Sequence, residues 1–589
     1  MTPPARERCA LVGVLILGCA TFLSGLDWGL ASREADGFLF GSGDQAWGAD
    51  EIVMLGGSWT PDANRAADAD ADPIRDRDHL VAINANDQQK AQIFRRYRLF
   101  SAQPDEMVTF MALAGMRGGS FDPRMYQYGG LWVYPVGAAL RLAAMRGIGL
   151  VTLKSDLNFY LDHPGQFGRF YVVARAYSVA WGLVGIWAVY CLSKRLSSRR
   201  VVPIAAAACF ALMPVVINGA HEAKPHLAGT VLVLLSALAA TKYVETGRAR
   251  WWAMTGALCG MALGMVLSAA VAFVAIPLMT LLRTNTWGRR ATIMLAAAGI
   301  GVGVYCLTNP YVPLNLIRNP AVVRANLAAL GQAKAIVGRQ SDTGAIANAR
   351  RLVTDGASIL GGVIGLLGLL VAAGNRAWWA RNPSARVVAI LLGIPAALVL
   401  VQFALLAAGK PGEFGRFAML PDVALMMVGV VLILSTKWGR LWTGPAVATL
   451  ILLVGWQGLA HVAGFVEDAS RPTATRHVAA QRLAELWATG ARTLAIPAEP
   501  APYCLPPIDF TRWKVLLLPA DGGLSAADPL PDVIVAPVDD LRQPATIPGD
   551  RYQRTFVVGN WPWIATRVSW ADKPFEILIR RDRIATRQP

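Results

Sequence analysis

Charged residues are scarce in this chain of 589 residues. Only 16% of the sequence is Asp, Glu, Lys or Arg, whereas 54% is hydrophobic and the mean hydropathy is +0.40. Soluble domains carry about 25% charged residues. The composition therefore excludes an ordinary soluble globular protein and indicates an integral membrane protein.

Two further classes of protein are excluded by what the sequence lacks. The seven cysteines are dispersed, and Cys504 stands alone in the region after residue 464, which excludes a disulfide framework there. The net charge of +17 is not gathered in one basic domain, because Lys and Arg recur in short clusters between apolar runs. Such clusters are typical of the cytoplasmic loops of a membrane protein and argue against nucleic-acid binding.

Apolar runs of membrane-spanning length predict about eleven transmembrane helices. A helix that crosses a hydrocarbon core of roughly 30 Å needs about 20 apolar residues, and several runs are slightly shorter. The runs cover residues 10–26, 171–191, 201–217, 227–241, 253–267, 270–282, 291–307, 352–373, 386–407, 417–435 and 443–463.

The loops between these runs alternate in character, which predicts the topology. Clusters rich in basic residues and tryptophan are expected in the cytoplasm, with indole rings at the headgroup level; they lie at 194–200, 242–252, 283–290, 376–381 and 437–440. The N-terminus is then cytoplasmic, and the other loops face outward, at 27–170, 218–226, 308–351, 408–416 and after 464.

This topology divides the chain into four regions. A first transmembrane helix (1–26) precedes a first extracytoplasmic loop (27–170), a transmembrane bundle (171–463) and an extracytoplasmic C-terminal domain (464–589).

Within the first loop, the apolar segment Tyr128–Ala144 is interpreted as a juxtamembrane helix on the outer face. Trp132 and Tyr134 are its expected interfacial anchors. The acidic, alanine-rich stretch 66–72 is expected to be disordered.

The C-terminal region has the pattern of a small α/β domain. An amphipathic segment at Thr475–Thr489 predicts a helix. Short β-like runs separated by proline-rich turns predict strands at Thr493–Ile496, Val515–Leu518, Val533–Val535 and Phe575–Ile579.

The acidic pair Asp105-Glu106 is the main candidate for a catalytic site. It follows a proline and precedes an apolar run with helical spacing, so the carboxylates are expected at a helix N-terminus. An ordinary acidic helix start is the alternative. Asp50-Glu51 has the same appearance without any motif behind it. The first pair differs because an aromatic, Gly-rich segment follows at 121–130.

These motifs, in this order, resemble the GT-C glycosyltransferases, and in particular the bacterial branch of ArnT-like and protein-mannosyltransferase-like enzymes. The resemblance covers about residues 90–460. It is carried by Asp105-Glu106 with 121–130, Arg175 with Ser178, the loop 221–226, Thr308–Tyr311, and Phe414–Phe417 with Leu420-Pro421.

The resemblance implies an enzyme of the bacterial inner membrane. It would move a sugar from a polyprenyl-phosphate donor to a lipid, glycan or protein acceptor on the extracytoplasmic face, with inversion at the anomeric carbon. Asp105 would be the base that activates the acceptor hydroxyl, and Glu106 would orient the acceptor or tune the aspartate.

Cations on outward loops would stabilise the departing phosphate. The candidates are Lys224, Arg416 and Arg318, and headgroup anchoring is the alternative for each. Relatives often have His-Pro-Pro or Lys-Pro at the position of residues 127–130. This chain has Gln127-Tyr128-Gly129-Gly130 there, so Arg124 is the nearest cation, and Tyr128 is included as a substrate-binding candidate.

His221, Glu222 and His226 complete the predicted substrate-binding residues. They also suggest a divalent metal such as zinc or manganese, but Pro225 intervenes and a fourth ligand is missing. No metal cofactor is therefore predicted.

Two other classes of protein compete with the enzyme. A transporter or flippase is expected to show inverted repeats and charges at mid-membrane. Here no repeat is apparent, and charges gather at loop ends, with Asp422 as the exception. The third class is an assembly or scaffold protein in which the C-terminal region does the work.

Overall fold

The protein is seen here in a computed structural model. The structure describes residues 5–41, 46–56, 80–83, 86–116, 119–283, 286–328, 345–374, 376–406, 415–435, 440–470, 472–497, 500–518, 524, 529–538, 550–560 and 570–585. The expected disordered stretch 66–72 and Phe414 lie outside these residues.

The described part of the chain is mainly helical. Its α-helices, with a further helical stretch at 320–328, are α1 (Ala5–Leu23), α2 (Asp36–Leu39), α3 (Ala49–Gly56), α4 (Asp87–Leu99), α5 (Met107–Gly115), α6 (Gly130–Ala143), α7 (Leu157–Asp162), α8 (Pro164–Leu196), α9 (Val201–Ala211), α10 (Pro214–Ala220), α11 (His226–Thr246), α12 (Ala249–Met265), α13 (Ala275–Arg283), α14 (Trp287–Thr308), α15 (Tyr311–Arg318), α16 (Ala345–Gly356), α17 (Ile359–Gly374), α18 (Arg376–Arg381), α19 (Pro383–Leu406), α20 (Met419–Ser435), α21 (Arg440–Ala469), α22 (Thr475–Ala488) and α23 (Arg581–Ala585).

Several of these helices are long and apolar enough to cross a bilayer, so the chain is an integral membrane protein. By length and composition six described helices qualify, and a seventh does if α9 and α10, bent by 58° at their junction, form one broken span. Helices suit this environment because they satisfy their own backbone hydrogen bonds in lipid. The predicted total of about eleven spans stays a prediction.

The described chain divides into two compact units. The first comprises residues 1–24, 115–138 and 174–462, and the second comprises 25–114, 139–173 and 463–589. The second unit therefore combines parts of the predicted first loop with the predicted C-terminal domain.

Small residues let helices approach closely in the first unit. Gly256, Gly260 and Gly264 are spaced four apart on α12, and α14 packs against this face. A Cβ atom at Gly260 would lie 2.1 Å from the carbonyl oxygen of Gly301, and one at Gly256 would lie 2.3 Å from that of Ala297. Only glycine permits such contacts, which is the usual role of small residues between membrane helices.

The second unit contains a six-stranded mixed sheet. Its strands are β1 (Val81–Ala82), β2 (Thr493–Ile496), β3 (Lys514–Leu517), β4 (Val533–Pro537), β5 (Tyr552–Val557) and β6 (Phe575–Arg580), in the spatial order β1-β3-β2-β4-β6-β5. The pairs β2–β3 and β2–β4 are parallel and the others antiparallel. Ala495, Leu516, Ile534 and Leu578 are buried in its core.

The predicted helix and all four predicted strands of the C-terminal region are confirmed to within two residues. The juxtamembrane segment Tyr128–Ala144 is also helical, as α6. The prediction that Trp132 is an interfacial anchor is wrong. Its side chain is completely buried, and its ring packs 5.3 Å from that of Tyr177.

Candidate functional site

A pocket lies in the first unit where several elements meet. The start of α11 forms one wall, and the segment between α12 and α13 forms a second. Residues 416–420 form the third. The lining residues include His226, Thr230, Val266, Ser268, Arg416 and Phe417. The cavity is thus mostly apolar, with a guanidinium, an imidazole and two hydroxyl groups in its walls.

Aromatic contacts hold three of the predicted site residues together at this cavity. The His226 ring lies edge-on to Phe417, with centroids 4.8 Å apart, and edge-on to Tyr128 at 6.1 Å. The Arg416 guanidinium lies over the Phe417 ring, 5.0 Å from its centroid. Such packing fixes the orientation of the guanidinium, since cations are attracted to ring faces.

Tyr128 reaches this position because the chain around it is tied to α12 and α14. Tyr128 forms an isolated antiparallel bridge with Val266. Asn309 accepts a hydrogen bond of 2.6 Å from the backbone N–H of Gly130. A Cβ atom at Gly130 would lie 1.9 Å from the Thr308 carbonyl oxygen, so glycine is required at this crossing.

The loop before α11 buries an ion pair. Lys224 Nζ lies 3.5 Å from Glu222 Oε2, and both side chains are almost fully buried. Glu222 Oε1 also accepts a hydrogen bond of 3.1 Å from Asn218, and the Glu222 carbonyl oxygen accepts one of 2.6 Å from Ser178. This network fixes Lys224 in the loop, two residues before His226.

His221 is part of the same loop and points elsewhere. Both of its ring nitrogens lie 2.8 Å from backbone carbonyl oxygens, those of Ile217 and Ser24. Burial lowers the pKa of His221 to about 4, against the smaller opposing effect of these carbonyl groups. The ring therefore serves to fix the loop. Among the described residues, no three His, Cys, Asp or Glu side chains are grouped to hold a metal ion.

Asp105 and Glu106 belong to the second unit, immediately before α5. The Glu106 side chain is completely buried, and Ser101 donates a hydrogen bond of 2.5 Å to its Oε2. Asp105 is half-buried, and its backbone N–H donates to Gln103 Oε1 at 2.7 Å. Asp105 is thus partly accessible at the surface of its unit, whereas the Glu106 side chain is buried within the turn.

Arg124 and Arg318 are both exposed. Arg124 has a left-handed backbone, with φ of 54°, and its carbonyl oxygen accepts a hydrogen bond of 3.0 Å from Asn326. Arg318 ends α15. Neither lines the cavity of His226 and Arg416.

A polar cluster that no sequence motif predicted fixes the loop of Arg124. Asn315 donates 2.7 Å and 2.6 Å hydrogen bonds to Asp122 Oδ2 and to the Tyr126 hydroxyl, and Tyr126 donates to Asp122 Oδ1 at 2.9 Å. Tyr311, one turn before Asn315, accepts from the backbone of Phe121. The i, i+4 spacing of Tyr311 and Asn315 on one helix face was the available signal.

The class of protein defined so far is a helical membrane protein with a cationic, aromatic cavity and a sheet-containing second unit. The sequence profile of the dolichyl-phosphate-mannose-protein mannosyltransferase family matches residues 167–310. This segment includes Arg175, Ser178, the loop 221–226 and Asn309. The match supports the predicted class, a glycosyltransferase of the GT-C type. None of the curated proteins matches the chain.

Three solved structures align with the chain at low identity. ArnT from Cupriavidus metallidurans bound to undecaprenyl phosphate is 15% identical, over 82% of this chain and 96% of that one, with a TM-score of 0.37. AglB from Archaeoglobus fulgidus, in complex with an inhibitory peptide and a dolichol-phosphate, is 12% identical over 72% and 61%, with a TM-score of 0.35. The S. cerevisiae Pmt1-Pmt2 complex bound to the sugar donor is 15% identical over 37% and 31%, with a TM-score of 0.28. This chain spans less than two thirds of the archaeal and yeast chains.

Proposed function

We propose that this protein is an inverting glycosyltransferase that uses a polyprenyl-phosphate sugar as donor. It acts at the extracytoplasmic face of the bacterial inner membrane, with its N-terminus in the cytoplasm and its C-terminal domain outside. The acceptor is a hydroxyl group of a lipid, a glycan or a protein. The single observation that carries the proposal is the cavity that places Arg416 and His226 among apolar helices, and the family match over 167–310 supports it.

Arg416 is the group that we assign to the donor phosphate. A guanidinium presents a fork of N–H donors that matches phosphate oxygens, and it keeps its charge in an apolar setting. The ring of Phe417 holds that fork in place. Thr230, Val233, Val266 and Val271 supply walls suited to the first isoprene units and to the sugar hydroxyls.

Lys224 contributes to the same reaction indirectly, by fixing the loop that precedes α11. Its charge is balanced by that of Glu222, so the pair orders the start of α11 without adding a net charge around His226. We assign Arg124 and Arg318, which are exposed, to lipid headgroups at the membrane surface.

In the proposed reaction the acceptor oxygen attacks the anomeric carbon while the bond to the phosphate oxygen breaks. The acceptor proton passes to Asp105, and the polyprenyl phosphate leaves with both electrons of the broken bond. One base and one phosphate-binding cation imply a single displacement with inversion, by analogy with inverting glycosidases. Glu106 positions Asp105 by fixing the turn that carries it.

A panel assay tests this proposal. Purified protein in nanodiscs is incubated with polyprenyl-phosphate sugars and a bacterial envelope fraction, and release of carrier phosphate is measured. We expect release with at least one sugar. Arg416→Ala should raise the donor KM by about tenfold or more, whereas the exposed control Arg289→Ala should not change it. Absence of release with every donor, or movement of intact donor between leaflets, would contradict the proposal.

A further inference from the structure

A second pocket lies entirely within the second unit. Tyr97 and Phe100 line it from the end of α4, Asp468 and Arg476 from α21 and α22, and Pro502 and Pro507 from a proline-rich segment. The pocket therefore combines flat apolar surfaces with one pair of opposite charges, and the proposed reaction leaves it without a role.

Arg476 and Asp468 form an ion pair with short hydrogen bonds in this pocket. Arg476 Nη2 donates to both carboxylate oxygens of Asp468, at 2.6 Å and 2.5 Å. The Asp468 side chain is completely buried and that of Arg476 is 14% exposed. The pair carries no net charge, yet a guanidinium has five N–H groups and a carboxylate has about four lone-pair sites. The partly exposed Arg476 can therefore donate to a neutral ligand, while the buried Asp468 carboxylate balances its charge.

The apolar walls are held rigid. The Tyr97 hydroxyl donates to the carbonyl oxygens of Leu505 and Pro506, at 3.3 Å and 3.0 Å, which fixes the segment that contains Pro502 and Pro507. The ring of Phe100 lies 6.3 Å from that of Tyr503. On a further wall, the His477 ring stacks on Phe38, with centroids 5.6 Å apart and planes 16° apart.

The pocket is joined to the turn of Asp105 by the backbone. Gly29 lines the pocket, and its carbonyl oxygen accepts a hydrogen bond of 2.7 Å from the N–H of Ala102. Gly29 has φ of 58°, and a Cβ atom there would lie 2.5 Å from that of Ala102. Phe100 precedes Asp105 by five positions. The wall of the pocket and the turn that presents Asp105 are therefore one connected piece of structure.

We propose that this pocket binds the acceptor, and that the acceptor is a neutral carbohydrate. This inference rests on the proposed function, since a transferase needs an acceptor site next to its base. Sugar rings present C–H faces that pack on aromatic and proline rings, and hydroxyl groups that both donate and accept hydrogen bonds. A phosphorylated or acidic acceptor would gain little from Arg476, because the Asp468 carboxylate already neutralises its charge.

Direct binding tests the inference without the donor. The full chain in nanodiscs is titrated with manno-, cello- and N-acetylchito-tetraose, with a Ser/Thr-rich peptide, and with inositol phosphate, and binding is measured by equilibrium dialysis. We expect at least one neutral tetrasaccharide to bind. Arg476→Met and, independently, Phe100→Leu should each weaken it by tenfold or more. Phe100→Leu leaves the buried ion pair intact, so it also serves if Arg476→Met does not fold.

The matched control is Arg482→Met. Arg482 lies on the same helix and pairs with Glu485 at the surface, away from the pocket, so binding should not change. Binding of only the peptide or the inositol phosphate, no binding of any saccharide, or binding that neither pocket variant weakens would overturn the inference. Because no donor is present, a negative result in this binding experiment would not contradict the release of carrier phosphate in the panel assay. Conversely, if no carrier phosphate is released in the panel assay, the binding of saccharides can still be measured and interpreted.

Discussion

Two adjacent carboxylates differ in what surrounds them, and this difference separates their roles. Glu106 is completely buried and accepts a short hydrogen bond from Ser101, whose hydroxyl also accepts from the backbone of Gln103. Asp105 is half-buried. A base must reach the proton that it removes, and of the two carboxylates only the half-buried Asp105 meets this condition.

The pair therefore allows a prediction with an internal control. Asp105→Asn should lower the rate of sugar transfer by roughly 100-fold or more, which is the usual size of general-base catalysis, and leave donor KM nearly unchanged. Glu106→Gln keeps an acceptor for Ser101 and should cost less than about tenfold. Initial rates at saturating donor measure both. Equal losses in the two variants would show that Asp105 has no special role.

Asp572 titrates in an unusual range for a carboxyl group. Burial, followed by the nearby charges of Glu467 and Asp468, raises the pKa of Asp572 to about 7, and hydrogen bonding to Thr475 opposes this only in part. Its unfolded pKa is near 3.8. The folded unit therefore holds a proton between about pH 4 and 7 that the unfolded chain releases, so stability falls as the pH rises through this range.

Asp572→Asn should remove that pH dependence. Asn keeps the shape and tolerates the left-handed backbone, with φ of 50° at this position. We expect the variant to unfold several degrees above the wild type at pH 8, and within about 1 °C of it at pH 5, in thermal scans of the full chain.

Asp532→Asn is the control, and it should have the opposite effect on stability at pH 8. Burial alone would raise the pKa of Asp532, but the N–H groups of Arg492 and Thr493 and the charge of Arg583 together lower it. Its stabilising effect is present at neutral pH and is lost on acidification, so this variant should be destabilised most at pH 8. A rise in unfolding temperature for both variants at pH 8 would contradict the assignment.

At the level of elements, apolar strands were predictable and polar or short ones were not. Val533–Pro537 and Phe575–Arg580 are nearly continuous hydrophobic runs, which is typical of buried strands. Tyr552–Val557 was missed because it is an edge strand whose middle residues are polar or exposed. Val81–Ala82 has two residues and pairs with Leu516 and Leu517 from the other end of the chain, which no local pattern can indicate.

The Gly256, Gly260, Gly264 face of α12 gives a prediction about helix packing. Gly260→Ala places a methyl group 2.1 Å from a backbone oxygen of α14, so the helices must separate. We expect a loss of about 1–3 kcal/mol, measured as a lower unfolding temperature in detergent. Gly299→Ala, on α14 with no atom within 4 Å of the new methyl group, should leave that temperature unchanged. Equal effects would show that α12 and α14 do not pack through this face.

At the level of the whole molecule, the motifs could be predicted but their grouping could not. Tyr128, His226 and Arg416 were separate candidates spread over almost 300 residues. In the structure His226 and Arg416 line one cavity, and Tyr128 packs edge-on against His226. Arg318 and Arg124 were also predicted to bind substrate, but both are exposed and neither lines this cavity. The charge of a residue and its place in a loop can be read from the sequence. Whether distant residues meet in one site depends on long-range packing, which no local sequence pattern indicates.

The orientation of the chain in the membrane is the last prediction. Basic clusters at 194–200 and 283–290 should be retained in the cytoplasm, which places the end of the chain outside. Alkaline phosphatase fused after Pro589 should be active, because it folds only outside the cytoplasm, and green fluorescent protein at the same position should be dark. Fusions to a chain truncated after Arg200 should give the reverse. Fluorescence after Pro589 would place the sheet-containing unit and Asp105 in the cytoplasm, away from any donor presented on the outer face, and the proposed reaction would then fail.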